Sequence, residues 1–111
     1  MPKILLTALL TALLAVGLTA TAAPVADEDA AFAAAVAALE KHRLTTLKTE
    51  CLTFDAAEEG GNYQIHVHEK HDDTCGGDPN TAPRLFTLTV AKADGTISVD
   101  DPVSGETRVL E

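Results

Sequence analysis

Beyond residue 26 the apolar residues of this chain keep two different periods, and the switch falls near Lys48. Before it, Phe32, Val36 and Leu39 recur at i, i+4 and i+7, which places them on one stripe of an α-helix. After it, large apolar residues alternate with polar ones, the period of a half-buried β-strand. One helix followed by short amphipathic strands leaves few economical architectures. Each element has a single greasy face, so the helix must cover the sheet.

The helix is expected over 27–43, with Lys48 as its outer limit. Asp27 is placed to cap free N–H groups, and Asp27, Glu28 and Asp29 suit the positive end of the helix dipole. Lys41, His42 and Arg43 sit at the negative end, His42 as a capping cation. Alanines fill the remaining turns at least conformational cost. The β-branched pair Thr45-Thr46 opposes any extension.

The strands are read at 49–55, 63–69, 84–91 and 96–100, with a short fifth at 107–110. Leu52 and Phe54 alternate with Cys51 and Thr53. Tyr63, Ile65 and Val67 face one way, and Gln64, His66 and His68 the other. Phe86, Leu88 and Val90 point inward, as do Ile97 and Val99. Turns are expected at Glu58-Glu59-Gly60-Gly61-Asn62, at Ala93-Asp94-Gly95 and around Ser104-Gly105, and a long loop from Lys70 to Pro83. The expected fold class is α+β: an N-terminal helix packed on a four- to five-stranded antiparallel sheet, with one disulfide.

The N-terminus bears on location. Lys3 precedes an apolar run from Ile4 to Leu18, and Thr19-Ala20-Thr21-Ala22-Ala23 closes it with small residues. This pattern reads as a secretory signal peptide over 1–22, cleaved after Ala22. A single small domain over 23–111 remains, with Ala23 to Ala26 as a mobile leader. Setting Lys3 aside leaves 7 basic against 17 acidic residues, a net charge of −10. So acidic a domain repels nucleic acid and anionic lipid, and favours a basic partner or a cation. No later run is long enough for a bilayer, and no cysteine follows the cleavage site to carry a lipid, so no stable membrane anchor is expected. The expected location is periplasmic or secreted.

In an oxidising compartment the two cysteines, Cys51 and Cys75, read as a disulfide. Closing a loop of this length contributes about 3–3.5 kcal/mol in the chain-entropy model. The spacing is unlike a redox-active C-x-x-C pair. The bridge would fold the long loop over the open face or the edge of the sheet, beside the histidines.

Two groups of residues are candidate sites. The first is the segment 75–84, with Gly76, Gly77, Asp78, Asn80 and Arg84. Glycines permit unusual backbone shapes, while two prolines and the disulfide restrict the whole. A pinned loop loses little entropy on binding, so the segment reads as a partner-binding loop or, more plainly, as a rigid connector. The second is His66, His68 and His71. Rings two apart on a strand share a face, a spacing that suits Zn or Cu, with His71 as a third ligand; a solvated polar face is the plainer reading. Catalysis has little support, since both thiols are in the bridge and the paired carboxylates are surface neighbours such as Glu58-Glu59 and Asp72-Asp73. The chain is read as not an enzyme.

From Tyr63 to Leu110, the Cys-Gly-Gly-Asp-Pro loop and the Pro-Arg-Leu-Phe strand start resemble a C-terminal module of small uncharacterised exported bacterial proteins. That resemblance brings no activity with it. The order of helix and strands, ending in turns at Asp94-Gly95 and Ser104-Gly105, is similar to PepSY-type domains, small secreted α+β units linked to peptidase inhibition. The disulfide and the long loop depart from that pattern, and no functional residue is carried over. The expected function is a small non-catalytic binding protein, of inhibitor or immunity type, acting on a basic envelope or secreted protein through residues 75–84. The alternative is a periplasmic Zn- or Cu-binding module using His66, His68 and His71.

Overall fold

The computed structural model describes residues 23–111. The signal peptide expected over 1–22 lies outside the described residues. Helix α1 spans Glu28–Lys41, a single 3-10 turn spans Thr49–Cys51, and five strands follow: β1 Leu52–Glu59, β2 Asn62–Glu69, β3 Arg84–Ala91, β4 Ile97–Asp100 and β5 Thr107–Leu110. The sheet order is β1-β2-β3-β4-β5 with every neighbouring pair antiparallel, a meander. This is an α+β fold with one helix on a five-stranded sheet and a Cys51–Cys75 disulfide.

Asp27 caps α1 as expected, its carboxylate accepting from the Ala30 N–H at 2.8 Å. The C-terminus comes earlier than the sequence limit of 43. Arg43 takes a left-handed φ of 50°, its N–H donates to the Glu40 carbonyl, and the Leu44 N–H donates to the Leu39 carbonyl at 3.1 Å. This is a Schellman closure with arginine where glycine is commonest, and it ends the helix before Thr45-Thr46 is reached.

The buried stripe of α1 differs from the expected one. Ala31, Ala35 and Leu39 are buried, whereas Phe32 is 40% exposed and Val36 only half-buried. Small alanines let the helix backbone approach the sheet closely, and the bulky ring is displaced to the flank. Phe32 there meets Phe54 edge-on, with ring centroids 5.2 Å apart. Below the helix lie Leu52, Tyr63, Ile65, Val67, Phe86, Leu88, Val90, Val99 and Leu110, all buried. The inward set of β2 and β3 is the one their alternation specified.

Several expected boundaries move, the first being residues 49–51, expected in the first strand, which form the 3-10 turn instead. Glu58 and Glu59 belong to β1, paired with Tyr63 and Asn62, so only Gly60-Gly61 make the turn. The β3–β4 connection runs from 92 to 96, longer than a tight hairpin; the Asp94 carboxylate accepts the Thr96 N–H at 3.0 Å, and Gly95 has φ 75°. The leader is not free either. The Val25 N–H donates to the Lys92 carbonyl at 2.9 Å, the Ala23 N–H to the Asp94 carbonyl at 3.2 Å, and Val25 packs against the core. Two backbone bonds and one partly buried aliphatic side chain fix this segment against the β3–β4 connection.

Candidate functional site: a clasped loop between β2 and β3

The loop from Lys70 to Pro83 leaves and rejoins the sheet at adjacent points. The Glu69 N–H donates to the Pro83 carbonyl at 2.9 Å, closing its base. The Lys70 N–H donates to the Cys51 carbonyl at 2.8 Å, and the disulfide draws Cys75 to within 5.5 Å of Cys51 between Cα atoms. Cys51 lies in the 3-10 turn just before β1, so the bridge ties the loop to the edge of the sheet.

Within the loop, local bonds fold each half. Asp72 accepts the N–H groups of Thr74 at 3.0 Å and Cys75 at 2.7 Å, and its own carbonyl accepts from the Gly76 N–H. These N–H donors, that of Cys75 foremost, hold its carboxyl below the usual carboxylate range. The Asp78 carboxylate accepts from the Asn80 N–H at 2.9 Å, and its carbonyl accepts from both the N–H and the hydroxyl of Thr81. Both are Asx-type turns, in which a short carboxylate substitutes for a backbone acceptor.

His71 joins the halves. Its Nδ1 lies 2.8 Å from the Asp78 carbonyl oxygen and 3.1 Å from Thr81 Oγ1, and its Nε2 lies 2.9 Å from Glu69 Oε1. The ring is only 11% exposed. Its flat face lies against Gly77, where an added Cβ would come within 2.6 Å of ring atoms, and where φ is 83°. Glycine is required there for both space and backbone. The hydrogen bond to Glu69, then that to the Asp78 carbonyl, raise the His71 pKa above its usual 6.5. From Gly76 to Arg84 every residue is nevertheless exposed. The clasp lies beneath the segment and leaves its outer surface open.

The residues singled out in sequence therefore divide. Gly76, Gly77, Asp78 and Asn80 lie together on the exposed loop. Arg84 is the first residue of β3 and belongs to the uncovered face of the sheet. Its Nη1 donates to Thr87 Oγ1 at 2.9 Å and to Asp100 Oδ2 at 3.2 Å. His66 reaches the same Thr87 hydroxyl through Nδ1 at 2.9 Å. His68 faces Asp55 at 3.7 Å, and a register irregularity separates it from Val67. His66, His68 and His71 thus have three different partners. Among the described residues no group of three or more His, Cys, Asp or Glu side chains is arranged to hold a metal ion. Zn or Cu ligation by these three would need the His71 clasp to be broken.

Sequence reasoning set Glu69 and Asp72 beside the histidines without a bonding role, and gave Thr81 none. Asp72-x-Thr74 and Asp78-x-Asn80 carry a local signal, since aspartate two residues before an N–H is an Asx-turn pattern. The approach of His71 to Gly77 carries none, because the chain must double back before the two meet. Comparison with known proteins finds no matching family model, curated protein or solved structure.

Proposed function

We propose that the protein is a small exported, non-catalytic binding module of inhibitor or immunity type, acting on another envelope or secreted protein. The observation that carries this reading is the run from Gly76 to Arg84, exposed throughout yet tied beneath by the disulfide and by His71. Ordering a free loop on binding costs conformational entropy. A loop ordered beforehand avoids most of that loss, which raises affinity without added contacts. The disulfide is compatible with an oxidising compartment, and the signal-like N-terminus supports periplasmic or secreted placement.

The contact set follows from the bonding. The side chains of Asp78 and Arg84 are engaged within the molecule, so the exposed side chains of Pro79, Asn80 and Ala82 are the foremost contacts, with Asp78 and Arg84 secondary. The net charge of −10 after residue 22 favours a basic partner and a salt-sensitive association rate.

The test is capture of a partner from the exported fraction of the native source by immobilised oxidised protein, followed by titration calorimetry with the purified partner. Pro79→Gly with Asn80→Ala should weaken binding at least tenfold, and so should Asp78→Ala with Arg84→Ala. Equal affinity in both double variants removes the loop from the interface and ends this reading.

A further inference from the structure

The surroundings of His71 fix its charge by geometry. A backbone carbonyl oxygen accepts and never donates, and so does an ionised carboxylate. Nδ1 faces the Asp78 carbonyl at 2.8 Å, and Nε2 faces the Glu69 carboxylate at 2.9 Å. Both ring nitrogens must therefore carry a proton. The Thr81 hydroxyl does not change this, because it donates to the same Asp78 carbonyl and so accepts from Nδ1. A neutral ring in this position would set a lone pair against an acceptor, whichever tautomer it took. The conformation belongs to the imidazolium.

We propose that His71 is a pH-operated latch on the binding loop: the protonated ring joins Glu69 on β2 to the 78–81 turn, and loss of its proton releases that turn. The biological consequence rests on the binding role proposed above; the latch itself does not. Its sides are few. Glu69 faces it from β2 and Asp78 from the loop, while Leu47, the disulfide and Gly76 line the rest of the crevice. Lys70, also on the crevice wall, is paired with Asp72 at 3.7 Å. The Glu69 bond and the Asp78 carbonyl both favour the charged form.

The sign follows from linkage. A histidine whose folded pKa lies above its unfolded value contributes stability that is complete below the unfolded value and is lost as pH climbs through the folded one. The latch is therefore closed at pH 6.5 and below, and opens above the raised value. Asp72 works in the other direction. Its lowered pKa means that its turn is held above the usual 3.8 and lost as pH falls through the lower value. Loop order is thus greatest in mildly acid solution.

The test is an NMR titration of the oxidised protein between about pH 5 and 9, well either side of the ordinary histidine value. The His71 ring signals should titrate with a midpoint above 6.5. The amides of Asn80 and Thr81, which donate to Asp78, should shift with the same midpoint and lose exchange protection above it. Glu69→Gln supplies the second arm. Its amide is able to donate to a neutral Nε2, so the midpoint should fall and the two amides should keep their protection at high pH. A wild-type midpoint at or below 6.5 overturns the proposal, as do loop amides that fail to follow the ring. No partner enters these measurements. A failed titration leaves the binding role standing, whereas a latch that titrates in a loop whose variants bind unchanged removes only the binding role.

Discussion

Two residues adopt backbone conformations that decide local structure, and they make opposite predictions. Gly77 combines φ 83° with the His71 ring where a side chain would begin. Gly77→Ala should cost about 1–2 kcal/mol through the left-handed backbone alone, with the displaced ring adding to it. Urea unfolding monitored by circular dichroism measures the loss, and the loop amides should report disorder before global unfolding. Arg43 adopts a similar backbone at φ 50°, yet is exposed, and among the described residues its side chain has no hydrogen-bond or ion-pair partner. Arg43→Gly should relieve the left-handed strain and raise stability by about 0.5–1 kcal/mol, the residue's greater freedom when unfolded offsetting part of the gain. An unchanged or lower urea midpoint would show that the Schellman closure is not strained.

At the scale of elements, strand residues were easier to read than helix residues, for a physical reason. Alternation in Tyr63-Gln64-Ile65-His66-Val67 and in Phe86-Thr87-Leu88-Thr89-Val90 has one interpretation, because a pleated strand offers only two faces. Helix α1 offers a continuous range of rotations. An alanine-rich sequence lets close backbone approach compete with burial of its few large side chains, and the Ala31, Ala35 and Leu39 stripe won over Phe32 and Val36. The rotation makes a test. Ala35 has no exposed surface, so Ala35→Leu should overpack the interface and cost about 1–3 kcal/mol by thermal or urea unfolding. Phe32→Ala, at the flank, should cost less than a fully buried phenylalanine, for which about 3–5 kcal/mol is usual. Of the candidate site, the pinned segment and its glycines were legible from Cys75-Gly76-Gly77 and the prolines. The clasp was not, since the approach of His71 to Gly77 depends on a reversal of the chain that no periodic pattern records. The docked leader was missed on similar grounds: Val25 is a single apolar residue with no pattern around it.

For the molecule as a whole, the disulfide is the largest single restraint on a small core. Replacing both cysteines, Cys51→Ala with Cys75→Ala, should cost about 3 kcal/mol, read as a lower urea midpoint. Because the bridge joins the loop to the start of β1 and leaves β2 through β5 untouched, the sheet should persist after its loss. Far-ultraviolet circular dichroism at low temperature should remain close to wild type while loop exchange accelerates. A wholly unfolded double variant would mean that the core cannot stand without the bridge.

The hydrogen bond from Glu69 to Pro83 places the two feet of the loop side by side on neighbouring strands. Among the described residues, the span between them is held to the frame further only through Cys75 and His71, beside the Lys70 N–H at its first foot, and lengthening the rest raises its closure entropy only logarithmically. Residues 70–83 thus form an exchangeable cassette on a fixed chassis. A designer is free to graft foreign segments onto the same two footholds, provided that Cys75 and His71 are kept.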